Sequence, residues 1–427
     1  MVGKMGNMEK PINLIDLTLL LPVLLIPIFG SLALGFILIV AIFLSFYFII
    51  NKNSDKTPTP FKTLGVIFIS YFTYYAVQGF FYSSSFSQHI HDIGKIFPIL
   101  VIGLLAIFLR TNTFKINYRL LSLIAVSSVY LTSTLALIFR FIPRDVLILG
   151  QSFTEKTGTC SPCRLEMGTG NALPFGTIFI TLAFLTCLGY ERKSMLERII
   201  SFSALILGIL IVGFWNTSRG PLLLVLPLTF LVFWYLIKNS ISTKTWRPLV
   251  LGFIVVTLLT ISSIIIQNLG YKVSSNMIKG LKELIDNGNH DTSVNTRLTL
   301  YKAGFEAFFV NPIFGFGIGN LLESITQFLP KDRDFGYSHL HNMFLNHLIA
   351  GGLVGLPFLF MLATSPLLIL WQKRDVISID DIYLSLLIVI TIFGAGMSNV
   401  LFFHDLLAGF FSVLILIAAI ASNKQDN

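Results

Sequence analysis

Charge is what this chain has least of. Only 12% of its 427 residues are Asp, Glu, Lys or Arg, against about 25% in an ordinary soluble domain, and that shortage excludes a solvated globular enzyme. Cysteine is scarce too, with three in all. Cys187 sits in an apolar stretch and reads as inert packing, whereas Cys160 and Cys163 form a lone C-S-P-C in a polar loop. One CxxC is half of a zinc site, so a local disulfide is the reading if that loop faces an oxidising compartment. No Lys/Arg-rich tract with interleaved aromatics accompanies the net charge of +9, which removes nucleic acid as a partner. Walker A loop, kinase signature and internal repeat are all missing. "GFGIGN", 315–320, lacks the third glycine and the preceding strand of a dinucleotide fingerprint and reads as a turn. No cleavable signal is evident, and the first apolar span is expected to serve as an uncleaved anchor.

What the chain does have is apolar length. It is 54% hydrophobic, with 40 Phe and 13 Tyr and a mean hydropathy of +0.80. A bilayer core takes roughly 20 apolar residues per helix, and by that measure there are about twelve spans: 12–28, 31–50, 63–83, 95–109, 120–139, 171–190, 199–217, 221–237, 248–267, 342–371, 383–400 and 406–421. The fold class is therefore all-α, a polytopic membrane protein with a large helical loop between spans nine and ten. Residues 1–267 hold the first nine spans, 268–341 the loop domain and 342–427 the last three. Lys52, Lys62, Arg110, Arg119, Arg192, Lys193, Lys238 and Lys373 fall on one set of short connections, and only Lys95 and Arg219 on the other. The basic side is cytoplasmic, which puts both termini in the cytoplasm and the large loop outside. All seven histidines then lie on or near the outer side.

The outer face gathers the candidate chemistry. In "SHLHNMFLNHLIAGGLVG", 338–355, a helix capped by Ser338 carries His341, Leu345, Leu348, Gly352 and Gly355 on one face. Glycines on that stripe allow a neighbouring helix or lipid chain to approach closely. An imidazole at a helix N-terminus is held neutral by the dipole and can accept a proton from a hydroxyl. The plain alternative is that His341 and Asn342 only cap the helix. Arg219, in "NTSRGPLLL", sits in a four-residue connection at the interface; it is either a snorkelling arginine or a bidentate phosphate ligand. Arg297 lies near the start of an amphipathic helix, 294–310, stopped by Asn311-Pro312, and is by itself an ordinary surface charge. His339, His341, Asp332 and Asp334 could furnish metal ligands, but their spacing fits no zinc signature. His404 and Asp405, between the last two spans, read as helix caps. Arg140, Arg144, Lys156 and Arg164 give the other outer loop a basic composition suited to an anionic partner.

In this order the residues resemble the O-antigen ligase family and its wider superfamily, which includes O-antigen polymerases and some protein O-glycosyltransferases. The family pattern of His-Asn, nine residues, Gly, two residues and Gly is met by His341, Asn342, Gly352 and Gly355. Arg219-Gly220 and "NTRL" around Arg297 are similar to the ligases' paired arginines, and "MGTGNALPFGT", 167–177, resembles the segment before their sixth span. The resemblance covers nearly the whole chain. It implies a glycosyltransferase in the bacterial inner membrane, acting at the periplasmic face without metal or other cofactor. The donor would be a glycan on undecaprenyl pyrophosphate and the acceptor a sugar hydroxyl of lipid A–core. It implies His341 as base, Arg219 and Arg297 on the pyrophosphate, His339 and Asn342 in support, and Gly352 and Gly355 in helix packing. Two rivals stand beside the ligase. An O-antigen polymerase uses the same donor with a carrier-linked acceptor. A lipid-linked glycan transporter is the other, although transporters put ionisable groups near the midplane and these spans hold almost none.

Overall fold

The computed structural model of the chain describes residues 14–50, 57–82, 86–109, 117–141, 171–216, 218–240, 293–330, 339–374 and 377–422. Among these residues there are thirteen α-helices and no strand. They are α1 (Leu14–Phe29), α2 (Ser31–Ile50), α3 (Thr59–Tyr82), α4 (Phe86–Phe108), α5 (Tyr118–Phe141), α6 (Ala172–Leu185), α7 (Met195–Leu210), α8 (Arg219–Ser240), α9 (Ser293–Val310), α10 (Leu321–Thr326), α11 (Met343–Gln372), α12 (Ile379–Gly396) and α13 (Asp405–Ser422). Eight of them are long and apolar enough to cross a membrane, and α6 and α13 are shorter apolar helices. The chain is an all-α polytopic membrane protein. The expected span at 248–267, the boundary at 267/268, Cys160, Cys163 and the basic residues Arg144, Lys156 and Arg164 lie outside the described residues.

Helix α13 explains its own brevity. From Leu406 to Ala421 it is buried on every side, packed against α4, α12 and α2, so no flank has to match the lipid. Helix α2 is the reverse case, with Phe36, Ile39, Phe43, Phe46 and Ile50 exposed along an apolar outer face, the surface a bilayer would cover.

Helix α4 departs from the span read off hydropathy. The fourth span was expected from residue 95, but α4 begins at Phe86. Polar pairs carry the extra turns: Gln88 reaches both Asp92 oxygens at 3.1 Å, and Lys95 meets Asp92 at 2.8 Å. Such i,i+3 and i,i+4 partners extend a helix past its apolar stretch. Lys193, read from its sequence position as a topology-setting cation, is buried. Its ammonium donates to Ser122 Oγ at 2.6 Å, Ser201 Oγ at 2.8 Å and the Thr186 carbonyl, and burial lowers its pKa to about 8.

Helix α11 supplies the larger correction. It is not one continuous helix with a smooth glycine stripe, because Gly352 adopts φ 59°, ψ −163° and splits it. That conformation is essentially restricted to glycine. The chain just after α9 repairs the break. Phe316 and Gly317 donate their N–H groups to the Ile349 and Ala350 carbonyls, both at 2.9 Å, and Leu353 and Val354 donate to the Pro312 and Ile313 carbonyls at 2.8 and 3.1 Å. Gln78 of α3 adds its amide to Phe314 and Ala350, and the Tyr74 hydroxyl takes the Gly351 carbonyl at 2.5 Å. Non-helical backbone inside a membrane domain persists only where protein satisfies it, and "GFGIGN" is part of that repair rather than a free turn. A Cβ at residue 352 would also strike the Ile313 backbone. Gly352→Ala is therefore expected to destabilise the protein by at least about 3 kcal/mol, seen as a lower melting temperature and a reduced folded yield in detergent; an unchanged melt would contradict this account of the break.

Candidate functional site

The starts of α4, α6, α8 and α11 and the α12–α13 connection come together at one end of the bundle. Helix α9 packs on α11 at the same end. The centre of the arrangement is the turn 339–342. Asn342, not Ser338, caps α11: its side chain accepts the Leu345 N–H at 3.1 Å. His341 therefore precedes the helix instead of lying on its face. It has φ 52° and is the one non-glycine residue with positive φ among the described residues. A histidine in the left-handed region is uncommon, and the neighbours that hold it there are identifiable.

Asn346 does most of the holding. Its Oδ1 accepts the Leu340 N–H at 3.2 Å while its Nδ2 donates to the Asn342 carbonyl at 2.7 Å, which clamps both sides of the histidine. The Tyr301 hydroxyl donates to the His341 carbonyl at 3.4 Å. One turn further on, His347 anchors the helix. Its Nδ1 meets the Met343 carbonyl at 2.7 Å, its Nε2 the Tyr71 hydroxyl at 2.7 Å, and its ring stacks on Phe403 with centroids 3.9 Å apart. His347 is thus structural. Asn346→Ala leaves a buried Leu340 N–H unmet, so we expect a loss of about 1–3 kcal/mol, read as a lower melting temperature. A variant with a normal melt would show that the clamp is dispensable.

The rings of His339 and His341 meet edge to face, 4.3 Å apart. Arg297 on α9, one turn before Tyr301, bears on His341. Burial, reinforced by the Arg297 charge, brings the His341 pKa down from 6.5 to about 4. His339 falls further, to about 3, through burial first and then through the fields of His341, His404 and Lys95. At neutral pH both imidazoles are uncharged, and each has the lone pair a proton acceptor needs.

His339 and Asn346 line a cavity of about 600 Å³. His91 and Lys95 of α4, His404 just ahead of α13 and Asp405, its first residue, complete its polar wall. Asn171, which caps α6 by accepting the Leu173 N–H at 3.0 Å, also reaches it. His404 precedes α13, its carbonyl accepting the Ala408 N–H at 2.8 Å, and Asp405 Oδ1 accepts the N–H of its neighbour Leu406 at 2.7 Å. Nothing in the spacing of residues 91, 95, 339 and 404 announced that they share a space.

The site residues expected from sequence fall into three groups. His341, Arg297, His339 and Asn342 gather at the turn. Arg219 is the first residue of α8. A Cβ on its neighbour Gly220 would strike the Ser398 hydroxyl and come within 3.5 Å of Leu173, so the start of α8 abuts the two elements whose Asn171 and Val400 line the cavity. The preceding π-helical turn, Ile211–Asn216, is tied there by Asn216, which donates to the Ala172 carbonyl at 2.7 Å. Gly352 and Gly355 lie deeper in α11. Gly355 faces Tyr74 and Tyr75 of α3, where a Cβ would come within 3.1 Å of Tyr74. Asp332 and Asp334, the carboxylates of the metal reading, lie outside the described residues. Among the described residues no three His, Cys, Asp or Glu side chains are grouped to hold a metal.

Residues 202–360 match the family model described as O-antigen ligase, a stretch that contains Arg219, Arg297, His341, Gly352 and Gly355. No curated protein matches the chain.

Proposed function

We propose, from the premise that residues 202–360 of this membrane protein are an O-antigen ligase family domain, that the protein is the ligase itself. The family's chemistry is glycosyl transfer in O-antigen assembly, from a lipid-linked glycan to a lipid acceptor. In the reading supported best, a glycan leaves undecaprenyl pyrophosphate for a sugar hydroxyl of lipid A–core. The site end of the bundle faces the periplasm, the protein resides in the inner membrane, and both termini are cytoplasmic. Arg297 is carried to the site by α9. The observation that carries the proposal is the meeting of Arg297 and a neutral His341 beside a cavity whose wall holds Lys95 and His339.

The bonds change as follows. The acceptor oxygen attacks the anomeric carbon of the donor glycan, and the bond from that carbon to the diphosphate oxygen breaks. The bonding electrons leave with the diphosphate, and the hydroxyl proton passes to His341. Charge grows on the departing diphosphate, where fixed cations are worth most; Arg219 and Arg297 are the groups proposed for it, with Lys95 on the cavity wall. The pyrophosphate already activates the donor, so no nucleotide, metal or other cofactor is required.

The test is transfer in vitro from a synthetic undecaprenyl-pyrophosphate glycan to purified lipid A–core. The expected product is glycan-bearing lipid A–core, formed at the same rate with and without chelator. Carrier-linked polymer instead of that product would make the protein a polymerase, and chelator inhibition reversed by added metal would overturn the metal-free mechanism.

A further inference from the structure

The chain that follows Arg297 does not stay above the bundle. It descends along α11 and returns along α3. On the way down, the Tyr301 hydroxyl meets the His341 carbonyl at 3.4 Å. A Cβ on Gly304 would come within 3.1 Å of Leu345 and 2.9 Å of Ile349. The Pro312 and Ile313 carbonyls then accept the N–H groups of Leu353 and Val354. On the way up, the Phe314 carbonyl takes the Gln78 amide, and the Asn320 amide donates to the Tyr82 carbonyl at the end of α3. Residues 297–320 are therefore a hairpin with its tip at Ile313 and Phe314. That tip is sunk in the bundle. Ala350, which shares the Gln78 amide with Phe314, lies two turns past the Asn342 cap, about 12 Å along the helix.

The hairpin changes character with depth. Lys302 and Glu306 are exposed on the descending limb, and Glu323 is exposed on α10 past the ascending one. Between the two glutamates, residues 307–322 carry no charge. Within that stretch Phe309, Val310, Ile313 and Phe314 are all exposed, while its asparagines are already engaged, Asn311 with the Gly315 carbonyl and Asn320 with Tyr82. The apolar patch does not end with the hairpin. Ile313 is bonded to Val354, and the exposed Leu353 and Val354 continue it along α11. Gln78 bonds Phe314 on the other side, next to the exposed Val77 and Phe81 of α3. Both α3 and α11 are long and apolar enough to cross a membrane, so the patch is continuous with the surface they turn towards lipid. Non-helical backbone is tolerated at that depth where protein satisfies it, and Gly315 and Gly317 are buried and bonded.

We infer that residues 297–320 are a re-entrant hairpin whose tip, formed by Phe309, Val310, Ile313 and Phe314, is immersed in the phospholipid leaflet at the site end of the bundle. The occupant of the patch is the acyl chains of the bilayer. Lys302, Glu306 and Glu323 then mark the headgroup level on the two limbs, and the uncharged stretch between the glutamates lies below it. Helix α9 enters the leaflet instead of standing free in solvent, and the lipid that holds its lower end fixes the upper turn from which Arg297 faces His341. The inference concerns what covers this surface, and it holds whichever glycan the protein transfers.

The experiment replaces Phe309, Ile313 and Phe314, one at a time in the full chain, by the photoreactive amino acid benzoylphenylalanine. Two reference positions are Phe43, exposed on the outer face of α2, and Thr326, exposed on α10 beyond Glu323. All five side chains are exposed, so the substitutions leave the core untouched, and a melt matching the wild type checks each variant. The variants are irradiated in the cell membrane, purified, and their intact masses measured. We expect the three tip positions to gain the mass of one phospholipid, as Phe43 does, and Thr326 to gain little. Tip positions that stay unmodified while Phe43 is labelled would overturn the inference, since water would then cover the patch. So would adducts with a second copy of the chain or another protein, which would make the patch a protein interface. Adducts with the polyprenyl carrier and no phospholipid would overturn it as well, because the patch would then belong to the donor's tail.

Discussion

On the proposed mechanism, His341→Ala is expected to abolish glycan transfer in a protein that still folds, with a fall in turnover of about 10²–10⁴-fold, the contribution of a lost general base. Alanine alone does not separate catalysis from architecture, because His341 holds a backbone conformation with φ 52° that disfavours any residue with a Cβ. Glycine does separate them. It adopts that conformation without steric cost, so His341→Gly should melt at or above the wild-type temperature, relieved of strain worth about 1–3 kcal/mol, and be as inactive as the alanine variant. Asparagine, tolerated in the left-handed region but no base, should behave in the same way. Transfer by purified protein from lipid-linked glycan to lipid A–core, measured beside a thermal melt, is the readout. Were His341→Gly to keep its activity, the histidine would be a turn residue only, and the proton would have to go elsewhere.

The sequence was most legible where lipid dictates it. Each of the eleven expected spans that fall on described residues corresponds to a helix, because the bilayer sets a minimum apolar length that hydropathy measures directly. The helical segment that became α9 was equally plain, and Asn311-Pro312 ended it where expected, although apolar residues lie on its exposed side as well. What the sequence hid depends on distant partners. The pattern around Gly352 is compatible with an unbroken helix, and its break is visible only once the carbonyls of Pro312 and Ile313 are known to replace the helical ones. The cap was misplaced for a related reason. Ser338 and Asn342 are both competent caps, and the choice falls to Asn342 because Asn346 clamps the backbone before it. Lys95 read as a residue of a short outer connection, His404 as a helix cap and His91 as one of the histidines of the outer side. They share a cavity through the packing of α4 against α13, which no local spacing encodes.

Arg297→Gln makes opposite changes to the two functions assigned to that guanidinium. Transfer falls by about 10²–10³-fold, the usual cost of removing one fixed group that stabilises developing charge. The His341 imidazole of the unliganded protein meanwhile becomes easier to protonate. In the wild type it titrates at about 4, through burial first and the Arg297 charge second; with the charge gone and the burial kept, the value should climb part of the way back to 6.5. Histidine NMR on the labelled protein would follow both forms. The donor should do to the wild type what the mutation does to the field, because a bound diphosphate offsets the positive charge facing His341. A base must be deprotonated to work, so each rate falls as pH drops through the pKa of the form it reports. For the unliganded protein, kcat/KM should hold down to near pH 4, whereas kcat, which reports the donor-loaded protein, should begin to fall at higher pH. Donor binding would then increase the basicity of His341 only when a glycan is in place to be transferred, and the acceptor hydroxyl would meet a competent base after the leaving group is held. Identical acid limbs for kcat and kcat/KM, or a His341 titration unmoved in Arg297→Gln, would break the link between the arginine and the base.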